Sequence, residues 1–339
     1  MTEEIDLVAL AQTGTGKTAA FGLPVLNLID VNRREVQALV LAPTRELCIQ
    51  ISNDLKDYSR YLDNLHIVPV YGGEDIRKQL KELDKRPQII VATPGRLIDL
   101  TKRGKIQLGN ISFLVFDEAD EMLNMGFKED IETILSETPD TRRTMLFSAT
   151  MPAEIQRIAQ KYMKQAREIT VGTKNSGNEN VEHHYYVTQA RQRYLTLKRV
   201  VDLNPDIYGI VFCRTRQETK EVAEKLMHDG YNADALHGDL SQAQRDTVMQ
   251  KFRIRNIQLL VATDVAARGL DVSDLTHVIN YNLPDDVEIY THRSGRTGRA
   301  NKTGVSISLL HSKERFKIKE IEKILKRKFE QRQIPNGLE

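Results

Sequence analysis

Short apolar runs recur along the first half of the chain, spaced so that a helix fits between each pair. IDLVAL (5–10), ALVLAPT (38–44), QIIVATP (88–94), ISFLVFDE (111–118) and TMLFSAT (144–150) are rich in Val, Ile, Leu and Phe. Strands covered on both faces of a parallel sheet read as continuous apolar runs, and the helical patterns between them supply the crossovers. The pattern predicts an α/β doubly wound sheet. At GTKNSGNENVEHH (172–184) the rhythm breaks into Gly, Asn and Ser, a composition suited to a flexible connector.

Beyond that break the pattern restarts and echoes the first half in order. ALVLAPTREL (38–47) is matched by GIVFCRTRQE (209–218), PVYGGE (69–74) by DALHGD (234–239), and QIIVATPGRLID (88–99) by QLLVATDVAARGLD (258–271). One fold used twice is the expectation. The boundaries read as a nucleotide-binding domain at 1–171, a linker at 172–180 and a second domain at 181–339, with a cleft between the two domains. A length of 339 residues agrees, since single cores stop growing well short of it.

Composition narrows the class. Hydrophobic content of 40% and charged content of 28% fit globular domains. No run approaches the roughly 20 apolar residues of a membrane span, and the N-terminus carries no signal-peptide pattern. Cys48 and Cys213 are the only cysteines, so neither a disulfide framework nor a zinc cluster is expected, and the expected compartment is the cytoplasm. The net charge of +2 hides an asymmetry: 22 basic against 25 acidic residues in 1–171, and 27 against 22 in 172–339. The second half's surplus lies in KERFKIKEIEKILKRKFEQR (313–332), with 9 basic and 4 acidic side chains. It reads either as a solvated helix face or as a nucleic-acid contact.

The candidate chemistry begins at AQTGTGKT (11–18), a phosphate-binding loop that departs from G-x-x-x-x-G-K-[ST] only in having Ala11 first. A strand-like run precedes it and a helical pattern follows. Within Ala11, Gln12, Thr13, Gly14, Thr15 and Gly16, the glycines let backbone N–H groups face phosphate oxygens at a helix N-terminus. Lys17 would reach the β- and γ-phosphates, and the Thr18 hydroxyl would ligate Mg²⁺. In FLVFDEAD (113–120) a buried strand delivers Asp117 to its C-terminal end, where ligands sit in open α/β sheets. Asp117 would hold Mg²⁺ largely through water, and Glu118 would orient or deprotonate the attacking water. THRSGRTGRANKTG (291–304) supplies Arg296 and Arg299 from the second half. They read as arginine fingers that make hydrolysis depend on closure, or else as a phosphate clamp for nucleic acid.

Nine motifs in fixed order then carry a resemblance: AQTGTGKT, PTREL (43–47), GG (72–73), TPGR (93–96), DEAD (117–120), SAT (148–150), VFCRT (211–215), TDVAARGLD (263–271) and HRSGRTGR (292–299). Across essentially its whole length the chain is similar to the core of DEAD-box ATP-dependent RNA helicases. The ending RQIPNGLE resembles bacterial cold-shock-type members.

The resemblance implies two tandem RecA-like domains closing over ATP, Mg²⁺ and one RNA strand, with local strand separation of short duplexes. It places Gly269 and Asp271 at the nucleotide, and Asp120, Ser148, Thr150 and His292 in the coupling between sites. RNA would run over Pro43, Thr44, Arg45, Gly73, Thr93, Pro94, Gly95 and Arg96. In the second domain it would meet Arg214, Thr215, Gln242, Arg245, Thr263 and Asp264. With no Trp and 6% aromatics there is no stacking platform, so backbone-directed RNA binding with little sequence preference is expected. A monomeric core is expected, and ribosomal or RNA-degradation partners follow from the resemblance alone. The family places an aromatic- and Gln-containing, adenine-recognising segment upstream of the phosphate loop; MTEE stands there instead. A truncated core with weaker, less adenine-selective ATP binding is therefore expected. The competing expectation is a nucleotide-gated RNA clamp with little turnover.

Overall fold

The computed structural model describes residues 5–11, 15–171, 179–268, 270, 272, 275–298 and 302–336. The chain forms two compact units, each built on one sheet of seven strands. The first sheet contains β1 (Leu7–Leu10), β2 (Ala38–Leu41), β3 (Ile67–Val70), β4 (Ile89–Ala92), β5 (Phe113–Phe116), β6 (Arg143–Ser148) and β7 (Arg167–Thr170), in the order β3-β4-β2-β5-β6-β1-β7. The second contains β8 (Val181–Val187), β9 (Gly209–Phe212), β10 (Ala233–Leu236), β11 (Leu259–Ala262), β12 (His277–Asn280), β13 (Gly304–Leu310) and β14 (Phe329–Arg332), in the order β10-β11-β9-β12-β13-β8-β14. The two orders are the same, shifted by seven strands. Every described pairing is parallel.

Helices on both faces explain the continuous apolar runs. Alternate residues of each strand point to opposite sides, so Leu39, Leu41, Ile90, Leu114 and Phe116 enter one core of the first unit. Ala38, Val40, Ile89, Val91 and Val115 enter the other, against the helices Lys17–Leu28 and Arg45–Tyr58. ALVL, IIVA and FLVF are buried at every position.

Asp6 ties β1 to both of its neighbours at the end of the sheet opposite the motifs. Its buried carboxylate accepts hydrogen bonds at 2.6 Å from the Thr144 N–H in β6 and from the Lys164 N–H ahead of β7. Removing it strands two backbone donors, each costing about 1–3 kcal/mol if left unpaired. Asp6→Ala is therefore expected to lower the unfolding free energy of the first unit, measured in urea, by about 2–4 kcal/mol, and Asp6→Asn by less, since the amide oxygen retains one acceptor.

The basic stretch 313–332 is not one helix. The helix Arg315–Leu325 buries Ile318, Ile321 and Leu325, and β14 then pairs with β8. Phe329 stacks on the buried His183 ring at 4.7 Å, and His183 Nδ1 lies 2.7 Å from the Tyr290 hydroxyl. Burial pushes His183 down to about 4, so it packs as a neutral ring.

Candidate active site and nucleic-acid interface

The C-terminal ends of β1, β5 and β6, adjacent in the first sheet, assemble the nucleotide half of the site. Ala11 closes β1 by donating its N–H to the Ser148 carbonyl at 2.9 Å. Gly16 stands at the N-cap of the helix Lys17–Leu28 with φ +84°, a conformation in which a side chain is strained. Thr15 and Gly16 are exposed at that helix start and Thr18 is half-buried. Gln12, Thr13 and Gly14 lie outside the described residues.

Lys17 is 9% exposed, and its Nζ lies 4.0 Å from Asp117 Oδ1 with no hydrogen-bond partner among the described residues. β5 carries Asp117 into a setting that is 3% exposed. Burial pushes its carboxyl up to about 6; Lys17 opposes the rise, while Glu118 and Asp120 add to it. A carboxylate in such a setting is suited to a cationic ligand.

Glu118 follows in the left-handed region (φ +53°, ψ +52°) at the start of the helix Ala119–Asn124. Its N–H donates to Asp117 Oδ1 at 3.0 Å, and its Oε2 is buried without a hydrogen bond among the described residues. A non-glycine residue held at positive φ stores strain of about 1–3 kcal/mol, a cost that clusters at functional sites. Asp120 joins the segments: the Thr150 N–H and Oγ1 both donate to its Oδ2, at 2.9 and 2.8 Å. The DEAD and SAT runs are thus one hydrogen-bonded unit.

The other half of the same strand edge holds the expected RNA residues. β2 leads into Pro43, Thr44 and Arg45, β3 into Gly73, and β4 into Thr93, Pro94, Gly95 and Arg96; these three strands are neighbours. Thr44 caps the helix Arg45–Tyr58 by accepting from the Leu47 N–H. Gln79, buried, donates to the Tyr71 carbonyl at 2.8 Å and accepts from Arg96 at 3.3 Å.

In the second unit the equivalent strands β9, β10 and β11 carry the matching set. Thr215 caps the helix Arg216–His228 as Thr44 caps its counterpart, and Thr263 caps the helix Asp264–Ala267. Arg214 and Thr215 are exposed, and Gln242 and Arg245 half-buried. Asp264 is engaged: Arg293 grips it with two hydrogen bonds, 2.6 and 2.8 Å, while also donating to Asn280 and to the Asn282 carbonyl. Arg293, 4% exposed and lying over Phe212 at 4.9 Å, is a residue that motif reasoning passes over although it stands inside HRSGR. Its position about one helical turn after the fully buried Tyr290 marks it as core-facing.

Arg296 departs from this edge. The helix Val287–Ser294, which carries the half-buried His292, runs back across the unit. Arg296 then lines a cavity of about 200 Å³ with Arg255, Thr276 and Lys302, near the starts of β12 and β13. Gly269, Asp271 and Arg299 lie outside the described residues.

Residues 1–158 match the DEAD/DEAH box helicase family and residues 192–301 the helicase conserved C-terminal domain. The chain is 48% identical over 330 residues to the DEAD-box ATP-dependent RNA helicase CshA of Geobacillus kaustophilus, covering 97% of this chain and 70% of the relative. Against the CshA of Bacillus cereus it is 47% identical and spans 63% of that protein's length. Among solved structures it is similar to S. cerevisiae Dbp5 bound to RNA and ADP BeF3, at 29% identity and a TM-score of 0.86, covering 97% of this chain and 86% of Dbp5's. This chain belongs to the DEAD-box helicase family. Among the described residues no helix is long and apolar enough to cross a membrane.

Proposed function

We propose that the chain is an ATP-dependent RNA helicase core, in which RNA-stimulated ATP hydrolysis drives local unwinding of short duplexes. The observation that carries this reading is the division of one strand edge in the first unit. Nucleotide residues occupy the β5-β6-β1 half and the expected RNA residues the β3-β4-β2 half. The Asp120–Thr150 hydrogen bonds lie within the nucleotide half, in the segment that leaves β6. A change at the DEAD carboxylates reaches the SAT segment through them.

Lys17 binds the β- and γ-phosphates, Glu118 takes the proton of the attacking water, and Arg296 with Arg299 stabilises the charge that develops as the units close. Thr18 and Asp117 would hold Mg²⁺. The described residues contain no cluster of three or more His, Cys, Asp or Glu able to cage a metal. That fits an ion held by one carboxylate, one hydroxyl and substrate phosphates. When bound, the ion offsets phosphate charge.

Arg45, Arg96 and Arg214, with the hydroxyls of Thr93 and Thr215, face the sugar-phosphate backbone of a single strand, which gives little sequence preference. The reading takes support from the CshA relatives, which are ATP-dependent RNA helicases, and from the RNA bound by Dbp5.

Steady-state ATP hydrolysis with and without single-stranded RNA, and with single-stranded DNA as control, tests the proposal. Turnover is expected to rise with RNA and to stay low with DNA. RNA-independent or undetectable turnover overturns it.

A further inference from the structure

Two of the arginines assigned to RNA are each held by a carboxylate that also holds a lysine. In the first unit, Glu74 lies 3.7 Å from Nη2 of Arg45 and accepts a hydrogen bond from Lys78 Nζ at 3.3 Å. Tyr71 completes the arrangement. The Arg45 guanidinium sits 4.9 Å over its ring, and its hydroxyl donates to Glu74 at 3.3 Å. As a result the Arg45 side chain is only 17% exposed, and that of Glu74 22%.

A comparable arginine–carboxylate–lysine bridge stands in the second unit, with its carboxylate after β12. Asp285 accepts from Nη2 of Arg214 at both oxygens, 3.4 and 3.3 Å, and pairs through Oδ1 with Lys317 of the basic stretch. The lysine hydrogen bond holds each carboxyl below its usual range, so both are charged at neutral pH.

An acidic side chain on a surface that must receive phosphates is a cost unless it does something there. We propose that Glu74 and Asp285 compete with RNA phosphate for Arg45 and Arg214, so that RNA binds by exchanging a carboxylate for a phosphate at each arginine. The inference rests on the RNA reading above. Arginines without such carboxylates would grip RNA more tightly and release more counterions. An arginine already paired starts from a neutralised state, which weakens the grip and flattens its salt dependence. Exposed and half-exposed ion pairs are weak, so a phosphate displaces the carboxylate without a large penalty. The device favours letting go of the strand, which a repeating unwinding cycle needs as much as capture.

The test is equilibrium binding of a fluorescent oligouridylate, with a non-hydrolysable ATP analogue present, over a series of KCl concentrations. Glu74→Gln and Asp285→Asn are each expected to bind about 2- to 5-fold tighter, the range over which exposed ion pairs act. The slope of log K against log salt should steepen by about 0.7 for each further phosphate that the protein neutralises. In an Arg45→Ala background, Glu74→Gln should bind no tighter than Arg45→Ala alone. Tightening that persists without Arg45 overturns the exchange, because the effect does not pass through that arginine. Unchanged or weaker binding by Glu74→Gln, with Arg45→Ala still harmful, also overturns it and leaves the RNA reading intact. Arg45→Ala without effect removes the RNA assignment of Arg45, and the exchange with it.

Discussion

Glu118→Gln is expected to bind ATP and single-stranded RNA as the unaltered chain does, while hydrolysis falls by about 10²–10⁴-fold. The amide matches the carboxylate in size, keeps the strained backbone and leaves the Glu118 N–H bond to Asp117 in place. What it lacks is the ability to accept a proton. Oε2 of Glu118 is buried with no hydrogen-bond partner among the described residues, so no structural bond is lost with the charge. Single-turnover hydrolysis alongside fluorescence binding of ATP and RNA separates the two effects. Near-normal turnover would assign the proton to another group.

Lys17→Met should weaken ATP binding by about 10- to 100-fold, the scale of a hydrogen bond to a charged partner. Isothermal titration with ATP reads it directly. A second consequence falls on Asp117, for which Lys17 is the nearest opposing charge. The folded-state value of Asp117 is raised from the ordinary 3.8 to about 6, so its buried charge costs stability as pH rises through that window. Without Lys17 the value climbs further and the cost at neutral pH grows. At pH near 5 Asp117 carries its proton with or without the lysine. The variant's loss of stability should therefore be larger at neutral pH than near pH 5, and equal losses at both would mean Lys17 does not compensate Asp117.

The strands that fill the sheet centres are legible in the sequence because burial on both faces leaves an apolar signature. The edge strands are not. β3 is interrupted by Pro69, tolerated because β3 has a neighbour on one side only. β7 reads REIT and is exposed at all four positions, and β14 reads FEQR with three exposed. β7 and β14 lack the hydrophobic pattern from which a strand is inferred. For that reason the end of the basic stretch reads as helix in the sequence and folds as strand.

The motif residues are legible because loops at strand ends carry chemistry in short contiguous words. Their pairings are not, since these depend on loops from separate strands meeting. Arg293 and Asp264 are adjacent only because β11 and the helix Val287–Ser294 converge. Glu74 meets Arg45 only because β3 and β2 flank β4.

The strand order also sets a schedule for synthesis. β1 lies between β6 and β7, next to the edge of the first sheet, so the first strand made has no sheet partner until Ser148 and then Thr170 have been made. At roughly 5–20 residues per second, that is on the order of ten seconds on the ribosome. During this time the apolar LVAL segment has no partner on either side. β8 waits in the same way for β13 and β14. Each half of this chain thus emerges with its earliest strand exposed and its last strands required, so nascent chains should be clients for factors that shield apolar segments during translation.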